Sequence, residues 1–258
     1  MFHTENLAIT ESLPAAPSRS AAVTAGLGLL LMFIAAMFAN FVVIEGMVVP
    51  DDAATTLANL QANEQLFRLG LASFLLVVLL DVLVAWSLYI FLKPADARLS
   101  LLAVWLRLAY SAMYAAAMFG LALALRLVSN ADFAATFPAE QLPSQVMLAL
   151  AFFQEGWMVG LLFFGVSLLV LGVLVFRSGY APKILGVLLF AAGVSYLVDS
   201  GLQLLLPNYA DFAGLLLFVL LLPMIVGEMA FCFWLLLHGG KTEQSATLRD
   251  TTYAVQEQ

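Results

Sequence analysis

At 258 residues, 64% of them hydrophobic and 10% charged, with a mean hydropathy of +1.02, the chain is too apolar for a water-soluble protein. Its formal charge of -7 says little about partners, since much of the acid lies inside apolar runs or short loops, and no basic patch suits a nucleic acid. The single cysteine, Cys232, excludes an internal disulfide; His3 and His238 sit at opposite ends of the chain, so neither a histidine-built metal site nor a haem is expected, nor any other cofactor.

Residues 1–20 are polar and turn-rich, with Pro14, Pro17 and several serines, and are expected to form a disordered cytoplasmic tail. Arg19 and the apolar residues after it imitate a secretory signal, but the apolar run continues to Val49, too far for one. A bilayer core takes about 20 apolar residues per helix. Six segments meet that length: 21–49, 68–92, 99–128, 143–176, 182–206 and 211–238. The chain is therefore expected to be all-α, a polytopic bundle of six membrane-spanning helices over residues 21–238, with a second disordered tail over 239–258.

The connections between these segments alternate in charge. Those after the second and fourth are short and basic, with Lys93 and Arg98, then Arg177 and Lys183; Arg19, Lys241 and Arg249 fall on the same side. That side holds seven of the ten bases, so the positive-inside rule puts both termini in the cytoplasm. The other three connections carry Asp52, Asp132 and Asp211, each followed closely by alanine, which suits helix N-caps better than a threefold repeat of hairpins. Residues 52–64 also suit a short amphipathic helix on the outer surface, with Leu57 and Leu60 turned to lipid or protein.

Ionisable residues inside the apolar segments are the chemically informative feature. Arg107 is the only base well inside one, and Asp81, Glu155, Asp199 and Glu228 are buried in others, with Glu45 nearer an end. Each isolated charge costs about 2.5 to 3.5 kcal/mol on insertion scales, so these groups must face one another, water or a ligand. At ~1.5 Å per residue, Asp81, Arg107 and Glu155 all reach near mid-membrane. Asp81 is the expected partner of Arg107, because a short connection makes the second and third segments antiparallel neighbours; Glu228 ranks second. The other carboxyls must be protonated or reached by water.

Helical spacing puts Arg107, Tyr110, Ser111 and Tyr114 on one face of the third segment, and Tyr196, Asp199, Ser200 and Gln203 on one face of the fifth. Such stripes must face the bundle. Interhelical hydrogen bonds in a membrane are worth only about 0.6 kcal/mol each, so a lined cavity or pathway explains charged members better than glue does. Pro223 is expected to sit in the sixth helix as a static kink, and the 10 methionines and 20 phenylalanines to serve ordinary packing.

The pieces Pro50-Asp51-Asp52-Ala53-Ala54, Leu66-Phe67-Arg68-Leu69-Gly70, Asp81-Val82, Leu92-Lys93-Pro94, Leu106-Arg107-Leu108, Phe163-Phe164-Gly165, Leu185-Gly186, Tyr196-Leu197, Pro207 and Gly227-Glu228, in this order over about residues 20–238, resemble a bacterial membrane-protein family catalogued as domain of unknown function 4386. The resemblance implies a multi-helix protein of the bacterial cytoplasmic (inner) membrane and brings no activity, cofactor or catalytic residue.

Enzyme templates fare poorly on the residues present: two facing carboxylates could do acid-base work, but no spacing selects a substrate, so an enzyme acting on a lipid ranks third among the readings. No histidine is available to an intramembrane serine, zinc ligands are too few, and no glycine-rich loop precedes a helix to hold phosphate. The leading expectation is a bundle whose interior binds or conducts a small solute, ion or proton, its pathway candidates being Arg107, Asp81, Glu155, Asp199, Glu228, Glu45, Tyr110, Tyr114, Tyr196 and Gln203. The competing expectation is a non-transporting scaffold or partner-binding sensor whose buried charges fix helix pairing. Beyond the lipid bilayer and such a solute, the sequence names no partner and no oligomeric state.

Overall fold

The computed structural model describes residues 17–241; the tail assignments for residues 1–16 and 242–258 lie outside the described residues. The first spanning helix begins as α1 (Arg19–Met37), passes through a π-helical stretch (Phe38–Ile44) and ends in α2 (Glu45–Met47). A surface helix, α3 (Ala53–Ala62), leads through Asn63 into α4 (Glu64–Leu92), and α5 (Ala97–Ser129) follows. After one turn of α6 (Ala131–Ala134) come α7 (Leu142–Arg177), α8 (Lys183–Leu205) and α9 (Ala213–Leu237). All described elements are helical, and six helices are long and apolar enough to cross a membrane. Arg19 and Ser20, placed by sequence in a tail over residues 1–20, are helical.

The helix starts are chemically specified. Asp96 opens α5 by accepting from the N–H groups of Arg98 and Leu99, and Asp52 opens α3 by accepting from Thr55 N at 2.9 Å. These hydrogen bonds from Thr55, hydroxyl and amide, hold the Asp52 carboxyl below its ordinary value. Capping does not extend to the other two outer aspartates. Asn130 caps α6 and leaves Asp132 in the first turn, while Asp211 ends a 3-10 turn and Phe212 precedes α9. Pro223 sits inside α9, which continues through it.

The six spanning helices form a closed ring in which α4, α5, α7, α8 and α9 follow one another and α1 lies between α9 and α4. Both described ends of the chain lie on one side, called here the terminal side. There Arg19 closes the ring by donating to the carbonyls of Leu235, Leu236 and Gly239 at 3.0, 2.5 and 2.8 Å, filling acceptors that the end of α9 leaves open. Cys232 reinforces the seam, its Sγ lying 3.3 Å from the Gly26 carbonyl. Phe91, Tyr180 and Trp234 plug this side, with Phe91 edge-on to the other two rings and the Tyr180 hydroxyl donating to the Phe91 carbonyl. Burial pushes the Tyr180 phenol up from its ordinary value.

On the far side, α3 lies across the ends of α5 and α7 with Leu60 fully buried, so its apolar face meets protein. The Thr56 hydroxyl accepts from Val49 N and the Asn59 amide donates to the Met47 carbonyl, tying this helix to the end of the first span.

Candidate functional site

One turn of α5 brings the strongest charges together. Arg107 Nε donates to Asp81 Oδ1 at 2.7 Å, and Arg107 Nη2 approaches the same oxygen at 2.6 Å from an angle too poor for a hydrogen bond. Ser111, one turn along, donates to Asp81 Oδ2 at 2.5 Å. All three side chains are buried, and the Phe164 ring covers the guanidinium at 5.1 Å. The carboxylate therefore has both oxygens filled. The partner expected for Arg107 from chain connectivity is the one present.

Beyond Phe164 lies a central cavity of about 500 Å³, to which all six spanning helices contribute. It reaches from Cys232 on α9, on the terminal side, to Glu45 at the far end of the first span. Five aromatic rings make a continuous wall. Trp157 stacks on Tyr114 with centroids 6.0 Å apart, Tyr114 on Tyr110 at 5.6 Å, Tyr110 leans on Phe164 at 4.9 Å, and Phe164 meets Tyr196 edge-on at 5.1 Å. Opposite them the first span supplies Met32, Phe33 and Asn40, and α9 supplies Met224 and Met229.

The charged members are carboxylic, beside the amides Asn40 and Gln154. Glu228 Oε1 accepts from the Tyr196 hydroxyl at 2.7 Å, joining α9 to α8 at the wall. Asp199 is held by two donors, Gln203 at 2.8 Å and Tyr209 at 2.7 Å. Burial, and then the bond to Asp199, push the Tyr209 phenol up to about 12. Glu45 also lines the cavity, just past the π-helical stretch.

Of the residues singled out by sequence, Glu45, Tyr110, Tyr114, Tyr196, Asp199 and Glu228 thus share one cavity. Gln203 supports Asp199 without lining the space itself, and Asp81 with Arg107 forms a separate pair behind Phe164. Glu155 does not join them; it is exposed on the outside of α7. The cavity face of α7 carries Gln154, Trp157, Leu161 and Phe164, and at ~100° per residue Glu155 points well away from it. Sequence reasoning overlooked Gln154, Trp157, Phe164, Asn40 and Tyr209, and assigned the methionines to packing. Trp157, Leu161 and Phe164 recur at helical spacing, a signal that core packing imitates.

Comparison with known proteins adds a lineage and no chemistry. The family model described as "Domain of unknown function (DUF4386)" matches residues 24–239. A protein of Archaeoglobus fulgidus, described as "Uncharacterized protein", is 30% identical over 175 residues, covering 68% of this chain and 86% of that protein. The likeness therefore reaches into archaea, beyond the bacteria that the resemblance implied. No solved structure matches.

Proposed function

The chain belongs to the family described as domain of unknown function 4386, a multi-pass membrane protein with no activity attached, and on that premise we propose that it is a solute-binding membrane protein whose central cavity takes up a small solute. The observation that carries this reading is the cavity itself. A bundle whose charges served only to fix helix pairing has no use for a space of about 500 Å³, within the range of small-molecule sites, lined by three carboxyl groups. Asp81 and Arg107 take the other role: paired and buried, they brace α4 against α5 beside the solute site.

Phe91, Tyr180 and Trp234 pack against one another on the terminal side, and the cavity carries Glu45 and Asp199 towards the far side, which favours entry from the far side. With the basic connections facing the cytoplasm, that entry is external and the protein resides in a cytoplasmic membrane.

A thiol inside the cavity tests this reading without any ligand. Thiols react as thiolates, which need water. In a Cys232→Ser background, Ala36→Cys on the cavity wall is expected to react with a water-soluble thiol reagent, and Ala22→Cys, buried in the terminal seam, to stay unreactive. An unreactive Ala36→Cys would mean a dry core and return the protein to the scaffold reading.

A further inference from the structure

We infer that the solute is an organic cation, a protonated or quaternary amine carrying an apolar body. This rests on the cavity being a solute site and adds the chemical class of what enters it.

Charge gives the sign. Glu45, Asp199 and Glu228 line the cavity, and no lysine, arginine or histidine does among the described residues. Arg107, the base nearest the wall, is engaged by Asp81 and screened by the Phe164 ring. An anion entering here would meet three carboxyl groups and no counter-charge. Glu228 receives one hydrogen bond among the described residues, from Tyr196 onto Oε1, and its Oε2 can accept an ammonium N–H or face a quaternary centre.

The wall gives the class. Trp157 and Tyr196 are the half-buried rings of the aromatic wall, Tyr196 bonded to Glu228, with Tyr110, Tyr114 and Phe164 packed between them, and ring faces attract cations through their quadrupoles. Met32, Met224 and Met229 offer pliant apolar surface to the remainder of such a molecule. A metal ion fits poorly, because no three His, Cys, Asp or Glu side chains among the described residues are grouped to hold one. Neither a metal ion nor a proton uses about 500 Å³ of largely apolar space.

The test is equilibrium binding to the full chain in nanodiscs, with empty nanodiscs as blank and two probes of matched shape and opposite charge, tetraphenylphosphonium and tetraphenylborate. Saturable binding of the phosphonium alone is expected. Glu228→Gln should weaken it at least tenfold, Ala36→Trp should abolish it by filling the space, and Glu155→Gln, on the outer face, should leave it unchanged. Asp199→Asn and Tyr196→Phe provide milder variants should Glu228→Gln fail to fold, each expected to weaken binding several-fold. Saturable binding of the borate alone, lost in Ala36→Trp, would overturn the cation class and leave the solute site standing. Phosphonium binding indifferent to both Glu228→Gln and Ala36→Trp would place that ligand outside the cavity and overturn the inference. If neither probe binds, the cation class falls, and the reactivity of Ala36→Cys decides separately whether the solute site falls with it.

Discussion

Arg107 brings a permanent charge to the middle of an apolar ring, and what that charge does depends on one carboxylate. Asp81 and Arg107 are 0% and 4% exposed, and Ser111 fills the second carboxylate oxygen, so water cannot replace either partner cheaply. Breaking such a pair from one side typically costs about 3–5 kcal/mol, because the survivor stays charged and buried, whereas removing both is far milder. Arg107→Leu and Asp81→Leu are each expected to lower the thermal midpoint in detergent sharply, and the double variant to lie well above the sum of the two losses. A double variant as unstable as that sum would show that the two side chains do not act as a pair. Connectivity and depth made this pair legible in the sequence. Glu155 was not legible in the same way: hydropathy reports that a carboxyl lies within a span, but its direction follows from which face of α7 meets α5 and α8. Glycines set that choice, since Gly156 admits Ala117 of α5, which turns Gln154 and Trp157 inward and leaves Glu155 outside.

At the scale of the element, close helix contact explains why α7 and α8 pack as tightly as they do. Gly165 and Gly172 on α7 face Gly193 and Gly186 on α8, both pairs seven residues apart in antiparallel order. A Cβ on Gly172 would sit 2.7 Å from the Gly186 carbonyl oxygen, and one on Gly186 2.7 Å from that of Gly172, so each backbone occupies the space a side chain would need. Gly172→Val and Gly186→Val should therefore force the helices apart and lower the thermal midpoint, overpacking costing about 1–3 kcal/mol each. Gly201, on α8 with nothing within 4 Å of its missing Cβ, supplies the control: Gly201→Ala should be neutral or stabilising by up to about 1 kcal/mol through helix propensity. Equal losses at all three positions would mean that general helix disruption, not the shared face, is being measured. The six spans themselves were readable from apolar length. The π-helical stretch was not, because nothing in Phe38–Ile44 marks it locally. Its wider turn lets Glu45 N–H bond to the Asn40 carbonyl, beside the two side chains that the first span adds to the polar part of the cavity wall.

For the whole molecule, ring closure and membrane orientation are linked through Arg19. Its guanidinium holds the last carbonyls of α9, so the first and last spans meet on the side that also carries Lys93, Arg98, Arg177 and Lys183. An even number of spans is what puts these bases on one side, and their concentration there is the physical basis for a cytoplasmic assignment. Ring order followed largely from short connections, which make successive spans neighbours; the α1–α9 seam did not, since nothing in the sequence tells Arg19 from another interfacial base. Orientation is tested with single cysteines in a Cys232→Ser background, each placed where the fold tolerates it. Ala58 on α3 and Ala135 after α6 are exposed on the far side and hold no hydrogen bond through their side chains, unlike neighbouring Asn59, which supports the Met47 carbonyl. Ala97 and Ser178 flank the basic connections on the terminal side; Ala97 spares the Asp96 cap, and Ser178→Cys keeps a small polar side chain where the hydroxyl donates to the Val175 carbonyl and accepts from Ala181 N–H. On intact cells, an impermeant thiol reagent should label Ala58→Cys and Ala135→Cys, and should reach Ala97→Cys and Ser178→Cys only after the membrane is opened. The reversed pattern would invert the protein and turn the cavity's carboxylate-lined end towards the cytoplasm. Ala97→Cys and Ala135→Cys reacting from the same side, with Ala58→Cys and Ser178→Cys both on the other, would mean that α5 does not cross, which leaves an odd number of spans and the two termini on opposite sides.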